Sequence, residues 1–224
     1  MCGRFIQVSN PEKIRLMISD LDLSGLAADF IPSFNITPGK KILAVLNTEP
    51  PLLSRVTWGL VPFWAKDAKI GQKMINARAE TLVEKSSFKG PFRKKRCVIV
   101  ADGFYEWRSS GKTKTPFLIR MNDAGPFAFA GLWDLWKNPA KGETLTTAAI
   151  ITTQANDLVA AIHHRMPAIL DPGAISTWLT PGTVSDEALL QCIISYPLEK
   201  MEAYEVSGLV NNPSHDSPDC IARV

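Results

Sequence analysis

Apolar residues recur at two spacings along the chain, and the change between them separates helices from strands. Ile14, Met17, Ile18 and Leu21 lie three or four apart, the spacing that lines one face of a helix. Ser9-Asn10-Pro11-Glu12 supplies its start, with a polar cap and a proline in the first turn. After a proline-rich turn, residues 41–46 (KILAVL), 52–60 (LLSRVTWGL) and 96–101 (RCVIVA) read as strands. So do 116–120 (PFLIR), 127–133 (FAFAGLW) and 145–153 (LTTAAIITT). Helical spacing resumes from Asn156 to His163, where Leu158, Val159 and Ile162 form an apolar face. Two further helices begin at Asp171-Pro172 and at Ser185, each with a capping side chain. A last strand over 201–206 (MEAYEV) leads into a polar tail.

The connections between the middle strands are mostly too short to hold crossover helices. The expected architecture is therefore an α+β fold: a largely antiparallel, barrel-like sheet with flanking helices. No internal repeat or low-complexity linker interrupts residues 1–224, which predicts one domain. A chain of 224 residues can bury a sizeable core.

Composition narrows the class. With 46% hydrophobic and 21% charged residues the chain matches soluble globular proteins. No stretch approaches the ~20 apolar residues of a membrane span. The opening MCGRFIQVSNPEK lacks a signal core, so an intracellular, cytoplasmic location is expected. Cys2, Cys97, Cys192 and Cys220 show no CxxC spacing, which argues against a zinc site; neither metal nor cofactor is expected. Cys97 in CVIV and Cys192 in LLQCII read as buried, inert thiols in a reduced compartment.

A net charge of +3 does not define a partner, but its distribution is uneven. Lys85, Lys89, Arg93, Lys94, Lys95 and Arg96 form a run without an acid. Such a run is either a solvated face or a patch that meets phosphates.

Three stretches mix polar and apolar residues in a way a plain core does not need, and the N-terminus adds a fourth. In Ile75-Asn76-Ala77-Arg78-Ala79-Glu80, an extended backbone turns Asn76, Arg78 and Glu80 to one side. In Ala101-Asp102-Gly103-Phe104-Tyr105-Glu106-Trp107, Glu106 sits between aromatic residues. That setting desolvates a carboxyl and suits it to general acid or base work; the plainer reading is a surface glutamate on an edge strand. His163 and His164 are adjacent at the end of the 156–163 helix. Neighbours on a helix diverge by about 100°, so one is expected to work in a cleft while the other faces solvent. Cys2 follows the initiator methionine, where a thiol and an α-amine meet on one residue.

Together MCGRF, WGLVPFW (58–64), INARAE (75–80), ADGFYEW (101–107), AIHHRMPAIL (161–170) and VNNPSHDSPDC (210–220) resemble the SRAP family, the SOS-response-associated peptidases or abasic-site processing proteins. The resemblance runs in order from residue 2 to the C-terminus. It implies a sensor of abasic sites in single-stranded DNA that forms a covalent DNA–protein crosslink. By the same resemblance Cys2 is the crosslinking residue, with Asn76, Glu106 and His163 as active-site partners. Arg78 becomes a phosphate contact, and Thr152 matches a position lining the pocket.

The residues suit that chemistry. Once Met1 is removed, Cys2 carries an α-amine of reference pKa about 7.7–8.0, against about 10.4 for lysine. This amine can form a Schiff base with the sugar aldehyde, and the thiol then closes a thiazolidine. An imine also opens a lyase-type side reaction by β-elimination, and His163 is a candidate for crosslink reversal. Arg4 and the 85–96 run are candidate phosphate contacts, and Trp64 a stacking or wedge residue. The expected partner is single-stranded DNA bearing abasic sites, met by a monomer and without sequence preference. Two other classes compete. One is a thiol autopeptidase cleaving before Cys2, weakened because only Met1 precedes it; the other is a non-catalytic single-strand-binding module.

Overall fold

The computed structural model describes residues 2–26 and 30–224. In chain order its elements begin with β1 (Phe5–Gln7), α1 (Pro11–Met17), β2 (Ser33–Ile36), β3 (Lys41–Leu46), β4 (Leu52–Trp58), β5 (Asn76–Arg78) and α2 (Ser86–Lys94). They continue with β6 (Arg96–Ala101), β7 (Gly103–Ser110), β8 (Thr113–Met121), β9 (Phe127–Lys137), β10 (Thr144–Gln154) and α3 (Asp157–Ala160). The chain closes with β11 (Arg165–Pro167), β12 (Ile169–Leu170), α4 (Pro172–Leu179), α5 (Asp186–Gln191) and β13 (Met201–Glu205).

The strands form two sheets. The larger follows the order β11-β10-β4-β3-β6-β9-β12, and a further pairing of β9 with β10 closes five strands into a ring. The smaller runs β13-β8-β7-β1-β2. Pairing is antiparallel except where β10 runs parallel to β4 and β5. The expected α+β class and antiparallel bias therefore hold. Alternation along the strands feeds two cores. Leu43, Val45, Val98, Val100, Ala149 and Ile151 pack under Ile14 of α1, Phe92 of α2 and Trp178 of α4. Their neighbours Ile42, Ala44, Cys97, Ile99, Ala148 and Ile150 pack with Phe5, Phe104 and Cys2. Gln7 links the sheets: its Nε2 donates to Leu43 O (2.9 Å) and Val100 O (2.6 Å), and its Oε1 accepts from Leu43 N (3.0 Å).

Helices start where their caps predict. Asn10 Oδ1 accepts from Lys13 N–H at 3.0 Å with Pro11 in the first turn, and Ser185 Oγ accepts from Ala188 N–H at 3.2 Å. Two expectations fail. The helix drawn over 156–163 stops at Ala160, because the chain turns to lay β11 against β10, pairing Gln154 with Arg165. The basic run is not a free patch, since it folds as α2 leading into β6. Arg93 pairs with Asp186 (2.5 Å), Lys95 pairs with Asp134 (2.5 Å), and Arg96 is fully buried. Only Lys85, Lys89 and Lys94 of the run are exposed.

Arg96 caps two helix ends at once. Its Nη1 donates to Phe92 O (3.2 Å) and Arg93 O (2.6 Å) in the last turn of α2. Its Nε reaches Trp178 O (2.9 Å) and its Nη2 Thr180 O (2.5 Å) at the end of α4. These are carbonyls that a helix cannot satisfy internally. Arg96→Ala leaves them buried and unpaired, at an expected cost of about 3 kcal/mol. For a chain of this length that lowers Tm by roughly 6–12 °C in a thermal melt; an unchanged Tm would remove the capping role.

Candidate functional site

The N-terminal segment continues the pairing of β1 with β7. Phe5 opposes Phe104, and Arg4 O accepts from Tyr105 N–H at 2.9 Å, so Cys2 is carried toward Glu106 on β7. Cys2 is fully buried. Its carbonyl accepts a 2.8 Å hydrogen bond from Asn76 Nδ2, at the start of β5. Asn76 Oδ1 is buried and has no hydrogen-bond partner among the described residues. Burial, with the Glu106 carboxylate close by, pushes the Cys2 thiol well above its ordinary range. Glu106 is itself buried, 4% exposed, which sets aside the reading of a surface glutamate on an edge strand.

Glu106 opens onto a cleft of about 470 Å³ that it shares with Trp107, Ser109, Lys114, His163 and Asn211. His163 lies in the turn after α3, its N–H bonded to Val159 O at 2.8 Å. His164 lines a separate cleft of about 460 Å³ with Arg78, Gln154 and Arg165. The turn explains why the helical argument about the two rings fails. Instead of diverging, they stack with centroids 4.4 Å apart and planes at 26°. The nearby His163 ring holds the exposed His164 below its ordinary pKa, since two cations there would repel. Of the pair, His163 is the one beside Glu106.

Thus Cys2, Asn76, Glu106 and His163, drawn from four parts of the sequence, converge. The predicted DNA contacts divide. Arg78 is exposed, as a phosphate contact must be. Arg4 is committed inward: its Nη1 donates to Asn35 Oδ1 and Val210 O, both at 2.6 Å, and its guanidinium lies 5.7 Å from the Trp107 ring centre. It tethers the C-terminal segment. Thr152 is fully buried beneath the site, with its Oγ1 accepting from Arg165 at 3.3 Å. Glu80 leaves the extended face predicted for it, because the backbone becomes a 3-10 turn at Ala79–Thr81.

Trp64 is 50% exposed, and Phe63 beside it is 69% exposed. Their loop is anchored from beneath: Phe63 N–H donates to Asp134 Oδ2 (2.9 Å), and Val61 N–H to Thr147 Oγ1 (2.8 Å). Gly59, at φ +128°, approaches Gly71 so closely that a β-carbon would meet a carbonyl oxygen at 2.7 Å, so the loop seat requires glycine there. Both aromatic side chains are thus presented on a braced support.

Phe63, Asn211 and Lys114 escaped the sequence reading. Asn211 sits in the VNNPSHDSPDC segment, where its Oδ1 accepts from Trp107 Nε1 at 2.7 Å. Asn35 holds that segment in place, its Nδ2 donating to the carbonyls of Val210 (3.2 Å), Asn212 (3.0 Å) and His215 (2.6 Å). Lys114 lies in a hairpin and carries no signal in the sequence.

Among the described residues no helix is long and apolar enough to cross a membrane, and no group of three His, Cys, Asp or Glu side chains is placed to hold a metal.

The model of the SOS response associated peptidase (SRAP) family matches residues 1–213, and the chain belongs to that family. It is 45% identical over 223 residues to the abasic site processing protein YoqW of Bacillus subtilis (strain 168), covering 99% of each chain. It is 39% identical over 264 residues to the abasic site processing protein HMCES of Gallus gallus, covering all of this chain and 78% of the relative. A crystal structure of a protein from Bacteroides thetaiotaomicron superposes with a TM-score of 0.86 at 29% identity, covering 100% of both chains.

Proposed function

We propose that this protein processes abasic sites by capturing them, in single-stranded DNA, as a covalent crosslink to Cys2. The observation that carries the reading is the placement of Cys2, held through its carbonyl by Asn76 and set beside Glu106 at the edge of the His163 cleft. The relatives named as abasic site processing proteins support it.

The reaction begins after the residue preceding Cys2 has been removed; Met1 lies outside the described residues. The Cys2 amine adds to the open-chain aldehyde, and loss of one water gives an imine. The thiol sulfur then bonds to the imine carbon, the carbon–nitrogen π electrons pass to nitrogen, and the thiol proton is transferred there through Glu106. A five-membered thiazolidine results. Asn76 Oδ1, an acceptor without a partner among the described residues, is positioned to orient the amine. His163 acts at the sugar hydroxyl as the ring opens. Ring closure removes the imine and so suppresses β-elimination.

This arrangement is less suited to a thiol peptidase. Attack on an unactivated amide needs a thiolate, and both burial and Glu106 oppose thiolate at Cys2. An iminium carbon is electrophilic enough to be met by a thiol that loses its proton during attack.

On this reading the strand runs past Arg78 and the exposed Phe63–Trp64 pair, and the protein acts as a monomeric single domain. Four free, buried cysteines suit a reducing compartment. Trp64→Ala is expected to weaken binding to undamaged single strands by about 1–3 kcal/mol, or roughly 5- to 150-fold in Kd. Fluorescence anisotropy measures it, and an unchanged Kd would move the stacking role elsewhere. The proposal as a whole is tested by mixing the protein with single-stranded DNA carrying one abasic site. An adduct should survive denaturing electrophoresis, and undamaged DNA should give none.

A further inference from the structure

Glu80 and Arg165 take no part in the chemistry above, yet they are joined to it through His163. Arg165 Nη1 donates to Glu80 Oε1 at 2.6 Å and Nη2 donates to Oε2 at 3.0 Å, a two-pronged pair. Nη2 also donates to Thr152 O at 2.6 Å and to Thr152 Oγ1 at 3.3 Å. The Arg165 side chain is 10% exposed and that of Glu80 is 49% exposed. The guanidinium is therefore gripped by the turn after β5 and by the end of β10, and it fixes the start of β11. The link to the site is the Arg165 main chain. Its N–H donates to His163 Nδ1 at 3.0 Å, and its carbonyl oxygen lies 3.1 Å from the same nitrogen.

That geometry constrains the ring. With Nδ1 accepting from the Arg165 N–H, the neutral imidazole bears its hydrogen on Nε2; with its hydrogen on Nδ1, the ring would donate to the Arg165 carbonyl instead. If the ring gains a proton at Nδ1, the Arg165 carbonyl is in reach as its acceptor. One residue thus serves both protonation states, provided its backbone stays where the side chain pins it.

We propose that Glu80 and Arg165 are positioning residues that set the tautomer of His163, keeping Nε2–H as the hydrogen donor in the Glu106 cleft. This rests on the crosslinking role proposed above. Loss of the clamp lets Arg165 shift and lets the Nδ1–H form populate, so part of the protein presents the wrong nitrogen to the sugar. Thr152, expected to touch DNA, acts instead as the third anchor of the clamp.

The test uses full-length protein labelled with ¹⁵N in its three histidines, His163→Gln assigning the His163 signals. Wild type, Glu80→Ala and Glu80→Gln are compared by NMR at alkaline pH and by single-turnover crosslinking. Glu80 is half-exposed, so both variants should fold, which thermal melts check. In wild type His163 should show a single Nε2–H form. In Glu80→Ala its two nitrogens should shift toward an averaged signature, with crosslinking slowed roughly 10-fold or more. Glu80→Gln, which keeps one acceptor oxygen, should recover most of the tautomer and the rate. Affinity for undamaged single strands should remain within about twofold in both. A wild-type His163 signature in Glu80→Ala overturns the proposal. So does an altered signature with an unchanged rate, or a loss of rate matched by a loss of DNA affinity. If wild-type protein gives no adduct at all, the crosslinking reading fails, while the NMR comparison still judges the clamp.

Discussion

Cys2→Ala should abolish the heat-stable adduct with abasic DNA while still giving an imine that borohydride can trap. Alanine keeps the α-amine, whose reference pKa of about 7.7–8.0 leaves a useful uncharged fraction at neutral pH. What it lacks is the thiol that closes the ring. A nucleophile held on the residue that bears the imine reaches effective molarities up to ~10⁵ M or more. No external thiol at ordinary concentration replaces it. The stable adduct should therefore fall by at least about 100-fold, and the persisting imine should raise strand cleavage by β-elimination. Denaturing gels with and without borohydride read both effects. The side chain is small and fully buried, so a melt confirms that the variant folds. A heat-stable adduct equal to wild type would eliminate the thiazolidine.

Glu106→Gln should slow single-turnover crosslinking by about 10²–10⁴-fold, the range for loss of a general acid–base group. Glutamine preserves the size of the side chain and its place beside the thiol, but it cannot carry a proton from sulfur to nitrogen. Dehydration needs a proton delivered to the departing hydroxyl, and ring closure needs one moved from sulfur to nitrogen. The change should appear in the rate rather than in affinity for undamaged strands, since the group is 4% exposed and faces Cys2. A loss of affinity with an unchanged rate would make Glu106 a binding residue.

The frame of the fold was legible because its longer strands are largely continuous apolar runs. Residues 41–46, 96–101 and 145–153 carry enough apolar and β-branched side chains to declare themselves, and the capping residues before Pro11, Pro172 and Asp186 mark helix starts. Short elements were not. β1 and β2 have three and four residues, and β2 holds the buried Asn35, whose polarity makes sense only once Val210, Asn212 and His215 offer their carbonyls. α2 lacks a capping side chain and contains Pro91, so its charges stood out while its helical character did not. Charge itself misled most. Arg4, Arg93, Lys95 and Arg96 read as phosphate contacts, but tertiary partners far along the chain claim each of them.

The site was legible in its residue types and in the family resemblance, and not in its geometry. Nothing in AIHHRMP shows which histidine faces Glu106, because the answer depends on where α3 stops and on the pairing of Arg165 with Gln154. The burial of Glu106 likewise required β7 to lie between β8 and β1. Lys114 and Asn211 entered only when the hairpin and the C-terminal segment closed around the cleft.

The most direct test of the central claim is intact mass spectrometry of the adduct formed with an abasic single strand. The adduct should have a mass equal to the protein without residue 1 plus the DNA, less one water, and its fragmentation should place the sugar on Cys2. An adduct on the side chain of Lys114 or another lysine, or one in which Met1 is retained, would contradict it.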